Sequence, residues 1–153
     1  MKHLECNKNI NRGFRKLEVW QEAVELFKFV KEKIDHVNNI SFKTKGQIED
    51  SILSVSSNIA EGYCRKYIRE NIQYNNIALG SLGENYTQIY ALFNSGIIEE
   101  DWFNEYDAIH YSLENKLIRY NHSQIKILKS QSDWQDDYKV REIAEHYLRD
   151  EQR

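Results

Sequence analysis

The 153-residue chain contains no proline and only six glycines. Proline removes a backbone donor and interrupts regular structure, and glycine supplies the left-handed conformations that tight turns need. A chain nearly without either has few means of ending strands or closing hairpins. It predicts an all-α protein of long helices joined by a few short connections. The length suits a single domain large enough to bury a sizeable core.

Hydrophobic spacing sets the expected elements. The first 13 residues are polar and predict a flexible N-terminus. Leu17, Trp20, Val24, Phe27, Ile34 and Val37 then form a helical stripe, with Val30 beside it. After "HVNNISFK" breaks this pattern, Thr44 and Gln47 read as a capping box opening a second helix. Its stripe is Ile48, Ile52, Val55, Ile59 and Tyr63, and Gly62 marks its expected end. The third helix is striped by Ile72, Asn75, Leu79, Leu82, Tyr86, Ile89 and Phe93, a heptad seam with one polar position. "NSGII" ends it with Gly96 at C′. The fourth helix opens on the acids Glu99, Glu100 and Asp101, which suit the positive end of a helix dipole, and runs through Phe103, Tyr106, His110, Leu113, Leu117 and Tyr120 to about Leu128. Residues 14–129 therefore predict an antiparallel up-down four-helix bundle. Residues 130–153 predict a C-terminal extension with a short helix over 138–148.

The charge balance, 21 basic against 24 acidic residues, gives −3 and announces no polyanion. It is uneven, however: residues 1–75 sum to +3 and residues 76–153 to −6, which permits a locally basic surface on an acidic chain. Cys6 and Cys64 make no disulfide framework and no metal spacing. The N-terminal residues lack the apolar core of a signal peptide, and no apolar run approaches the ~20 residues of a membrane helix. A cytoplasmic protein without membrane contact is expected.

"SVSSNIAEGYCR", residues 54–65, concentrates serines, an asparagine and a glutamate on a helix. A serine nucleophile needs an oriented base, and none of His3, His36, His110, His122 and His146 lies within a helical turn of these serines. Packing explains the segment better. Ser51, Ser54, Ser57 and Ala60 recur at steps of three, and the third helix offers Gly80, Ser81, Gly83 and Thr87. Each interior glycine costs ~1 kcal/mol relative to alanine. Close approach of the two helices is the expected compensation, with Asn58 and Glu61 hydrogen-bonding at the contact. No Glu-x-x-His pair of a di-metal bundle occurs. Asp107 with His110 is the nearest match, and His110 reads as a core histidine. Glu142, Glu145 and His146 read as a solvated face. No catalytic residues, metal or cofactor are expected.

Two basic groups stand out. Lys28, Lys31, Lys33, Lys43 and Lys45 form one. Arg65, Lys66 and Arg69, interleaved with Tyr63 and Tyr67, form the second. Basic residues mixed with aromatics can hold RNA through phosphate contacts and stacking, while a solvated helix end favours cations by itself.

"FRKLEVWQEA" at 14–23, "SVSSNIAEGYCR" at 54–65 and "IALGSLGE" at 77–84 fall in one order and spacing over residues 14–125. Together they resemble the bacterial four-helix-bundle proteins encoded in intervening sequences of 23S ribosomal RNA genes. The accessory variability determinant of diversity-generating retroelements is similar to that family. On this resemblance, Ser57, Asn58, Ala60, Glu61 and Gly62 with Gly80, Ser81, Gly83 and Glu84 are structural motif residues. It implies a ring-shaped homo-oligomer, a homopentamer, with no catalytic activity. The retroelement relative implies a basic surface for nucleic acid or a nucleic-acid-processing protein. Two departures are visible. Ser56 stands where the family usually has proline, and Glu49 and Asp50 replace basic residues that follow the glutamine matched by Gln47. The expected function is a non-enzymatic homo-oligomeric bundle binding structured RNA or a nucleoprotein partner. The alternative is a protein-interaction scaffold with no nucleic-acid role.

Overall fold

The computed structural model describes residues 6–130. The expected short helix over 138–148 and the group Glu142, Glu145 and His146 lie outside them. A short 3-10 helix, Ile10–Lys16, precedes four α-helices: α1 (Glu18–Asp35), α2 (Phe42–Cys64), α3 (Ile68–Asn94) and α4 (Glu100–Ser130). Helices α1 and α3 each pack on both α2 and α4. Cross-helix pairs fix the directions. Lys31 meets Glu49, Lys33 meets Glu105 and Lys116 meets Glu18, while Ser54 meets Ser81 and Tyr106 meets Asn85. Each helix thus runs opposite to its two neighbours, as an up-down bundle requires.

Local chemistry sets the ends. The Ser41 hydroxyl accepts from the Thr44 backbone N–H at 3.0 Å, so α2 begins at Phe42, earlier than the Thr44 cap expected from sequence. Ser41 gives no capping-box signal in the sequence, because Thr44 rather than an acid or amide follows it at the third position. At the end of α3, Gly96 adopts φ +67, Ile97 N–H reaches Leu92 O and Gly96 N–H reaches Phe93 O. This is a Schellman closure, as the sequence predicts.

The core is Val19, Ala23, Leu26, Val30 and Ile34 of α1, Ile48, Ile52, Val55 and Ile59 of α2, and their partners on α3 and α4. On α1 and α3 the buried line keeps Ile34, Asn75, Leu82 and Ile89 of the expected stripe and otherwise runs about one residue away from it. Trp20, Phe27, Leu79, Tyr86 and Phe93 sit at the flanks, partly buried against this core. Large residues at the flanks let each helix cover two neighbours at once, so the arc they shield exceeds a single heptad seam.

Polar residues occupy the centre of α3. Asn71, Asn75 and Asn85 are buried with Ser51, His110 and Asn121 around them. Asn85 Nδ2 donates to Ser51 Oγ (3.0 Å) and Ile48 O (3.2 Å), and its Oδ1 accepts from the Tyr106 hydroxyl (2.8 Å). Asn75 Nδ2 donates to Asn71 Oδ1 (2.9 Å), and the buried Asn75 Oδ1 has no partner among the described residues. Satisfied groups like Asn85 can be buried at little cost, whereas an orphaned acceptor costs about 1–3 kcal/mol.

The last residues of the expected flexible N-terminus, from Ile10, belong to the 3-10 helix. The 3-10 helix packs on α2, with Phe14 edge-on to Tyr63 at 6.3 Å and to Trp20 at 5.2 Å. The Cys64 thiol donates to Asn11 O at 3.1 Å.

Candidate nucleic-acid interface

Ser54 Oγ and Ser81 Oγ lie 2.9 Å apart across α2 and α3, and Asn58 Nδ2 donates back to Ser54 O at 2.7 Å within its own helix. Ser56 and Ser57 both donate to Leu53 O. The close approach is at Gly62, in the last turn of α2. A Cβ there would meet Tyr74 Cβ at 2.8 Å and Asn71 O at 3.2 Å. At Gly80 and Gly83, where close packing was also expected, a Cβ would meet nothing within 4 Å. Glu84 is exposed, as is Ser57, while Ala60 is half-buried. The motif therefore divides into a contact at Gly62, Ser54 and Ser81 and an outward face at Gly80 and Gly83.

His110 is buried, with Nε2 2.9 Å from Leu82 O and its ring between Tyr86 and Tyr106. It is a core histidine held by a backbone carbonyl. Among the described residues, no three His, Cys, Asp or Glu side chains gather as a metal set. A shallow depression of about 320 Å³ between α1 and α4 is lined by Glu22, Glu25, Ala108, Ile109 and Ser112, which bring no nucleophile–base pair together. No helix among the described residues is long and apolar enough to cross a membrane.

The predicted basic cluster lies at the α2–α3 turn, and its members differ in environment. Arg65 Nη2 pairs with the Glu61 carboxylate and donates to the Tyr74 hydroxyl at 2.6 Å, with the guanidinium 4.9 Å from the Tyr74 ring centroid. Tyr74 and then Arg65 hold the Glu61 carboxyl below its usual range. This arrangement ties α2 to α3 and neutralises Arg65 locally. Tyr63 is covered by the 3-10 helix: its ring packs on Phe14, and a Cβ at Gly13 would run into its hydroxyl. That leaves Tyr63 poorly placed as a stacking platform. Tyr67 is 36% exposed, with Lys66 Nζ 4.9 Å from its ring centroid. Arg69 is exposed nearby.

The fold gathers other cations into the same half. Cross-helix pairs place residues 6–26, 54–82 and 111–130 on one side of the bundle's midplane and residues 27–53 and 83–110 on the other. The first half carries eleven basic and six acidic residues, or +5; the second carries five basic and ten acidic, or −5. The described residues are neutral in sum, and the fold separates their charges along the bundle axis. On α4, every acid lies at or before Glu114 and every base at or after Lys116. Arg119, His122, Lys126 and Lys129 follow at steps of three, four and three, all exposed. The sequence reading missed them because it grouped cations by nearness in the chain; their helical spacing was the available signal.

The fold agrees with the comparison to known families. The 23S rRNA-intervening sequence protein model matches residues 15–119, from the 3-10 helix into the second half of α4. No curated protein is similar enough to extend that match. A four-helix bundle with the family's match over most of its length identifies the chain as belonging to the 23S rRNA-intervening sequence protein family.

Proposed function

We propose that this protein is a non-enzymatic, self-associating bundle whose positive half binds structured RNA, bare or within a nucleoprotein. The segregation of +5 from −5 across the midplane carries the reading. A field of one sign on one half attracts a polyanion even when the chain as a whole is acidic. The serines of the second helix support a structural role, since Ser54, Ser56 and Ser57 are all engaged in hydrogen bonds of the bundle. Self-association draws support from Leu53 and Ile77, which are 47% and 44% exposed, and from the uncovered Gly80 and Gly83. A cytoplasmic setting fits a chain whose two cysteines are too few for the disulfide framework of a small secreted domain.

A second reading, a protein scaffold with no nucleic-acid role, draws on the negative half, where residues 83–110 hold six acids and no base. Fluorescence anisotropy of a labelled RNA hairpin separates the two. Binding at low salt that weakens steeply as salt rises is the expected result; no binding at low salt would leave the scaffold. Light scattering reads self-association directly, and a monomer at micromolar concentration would remove that part of the proposal.

A further inference from the structure

Arg119, Lys126 and Lys129 share one exposed stripe of α4 with His122 between them. From Arg119 to Lys129 is ten residues, about 15 Å at the helical rise of ~1.5 Å per residue. The segment from Lys116 to the end of α4 contains no acid. Lys116 is already bound to Glu18 and Glu22. Among the described residues none of the three stripe cations makes an ion pair. By contrast Arg65, the centre of the cluster suggested by sequence, is paired with Glu61.

Neither a helix dipole nor an ordinary solvated face accounts for this stripe. A helix C-terminus favours cations, but that effect fades within the last turn. It covers Lys129 and leaves Arg119, three turns earlier, unexplained. A solvated face usually alternates signs, and this one does not.

We infer that the Arg119–Lys126–Lys129 stripe of α4 is the principal phosphate track of this protein, aligned with one backbone strand of a bound nucleic acid. The inference rests on the RNA-binding reading above and specifies the surface that performs it. A rigid, nearly straight row suits a polymer that repeats its charge. A row about 15 Å long reaches several successive phosphates of one strand. The lone-pair oxygens of successive phosphates accept from the guanidinium and ammonium groups, and the His122 ring offers a further nitrogen along the same line. The half-wide field of +5 brings the polyanion to this face, and the stripe sets its direction.

The test uses the full chain and a labelled RNA hairpin over a salt series. It compares wild type with Arg119→Gln/Lys126→Gln/Lys129→Gln. A control, Lys28→Gln/Lys33→Gln/Lys43→Gln, removes three charges from the other half. Each phosphate contact contributes about 0.7–0.9 to the slope of log affinity against log salt. The stripe variant is expected to lose about 2–3 from that slope and at least tenfold in affinity, with the control near wild type. Circular dichroism checks that each variant is folded, and Lys126→Gln alone, expected to lose about one such step, serves if the triple variant is not. Wild-type binding with an unchanged slope in the stripe variant would overturn this inference and leave RNA binding standing. Absence of wild-type binding would overturn both. Poly-glutamate or anionic lipid vesicles binding as tightly as RNA would overturn the assignment to nucleic acid.

Discussion

The Tyr106 hydroxyl of α4 donates 2.8 Å to Asn85 Oδ1 of α3, in the middle of the bundle and with both residues fully buried. Through Asn85 Nδ2 the same link reaches Ser51 and Ile48 of α2. Three helices are thereby keyed to one another by directional contacts, which a purely apolar seam would not provide. Tyr106→Phe keeps the ring and removes the donor, leaving Asn85 Oδ1 buried and unpaired. A loss of about 1–3 kcal/mol is expected in urea unfolding, with helix content unchanged at low denaturant.

Alkali should act on the same residue. Burial pushes the Tyr106 phenol well above its usual range, so the native state keeps this proton when the unfolded state has released it. Stability is then complete below the unfolded tyrosine value of about 10 and falls as pH rises beyond it, by up to about 1.4 kcal/mol per pH unit for this one group. Unfolding curves between pH 9 and 11 should show that decline, and Tyr106→Phe should flatten it. An equal decline in the variant would assign the effect to another group.

One helix offers the same substitution with opposite signs. Gly62→Ala drives a methyl against Tyr74 Cβ and the Asn71 carbonyl. Overpacking of about 1–3 kcal/mol outweighs the helix-propensity gain of ~1 kcal/mol, and the melting temperature should fall by a few degrees. Gly46→Ala, also within α2, meets no atom within 4 Å and should raise it. Equal shifts at both positions would contradict the close approach at Gly62.

Acid should weaken the bundle from its surface. Lys116 holds the Glu18 carboxyl below its usual range, Lys31 does so for Asp35, and Tyr74 with Arg65 does so for Glu61. A lowered folded value means the contribution is present above the unfolded value of about 4 and disappears as pH falls through the folded one. Thermal melts from pH 5 down to 2 should show this loss. It should be smaller in Glu61→Gln and smaller again in 1 M salt, where exposed pairs are screened.

The sequence was informative where the determining contacts are local. Gly96 needs only its own φ and the preceding turn of α3, so the end of that helix could be read in advance. The existence of the four helices followed from spacing alone. Which side of each helix faces inward by a residue or so did not, because Trp20, Phe27 and Tyr86 can shield a flank as well as fill a centre. The glycines show the same limit. Gly62 touches α3 and Gly80 and Gly83 touch nothing, and only the relative rotation of α2 and α3 decides between those outcomes. The surface was harder still. Arg65 reads as an available cation, but Glu61 pairs with it one turn earlier in α2 and Tyr74 engages it once α3 folds back.

The separation of charge along the bundle axis bears on how copies can be arranged. A rotation axis parallel to the helices would put every positive end on one face and every negative end on the other, so that an assembly inherits and multiplies the polarity of its protomer. Two-fold axes perpendicular to the helices, as in dihedral assemblies, would set opposite ends side by side and erase it. Cyclic symmetry about an axis parallel to the helices therefore yields a disc with one cationic and one anionic face, able to receive a polyanion from one direction only. Dihedral symmetry yields a particle with no preferred side.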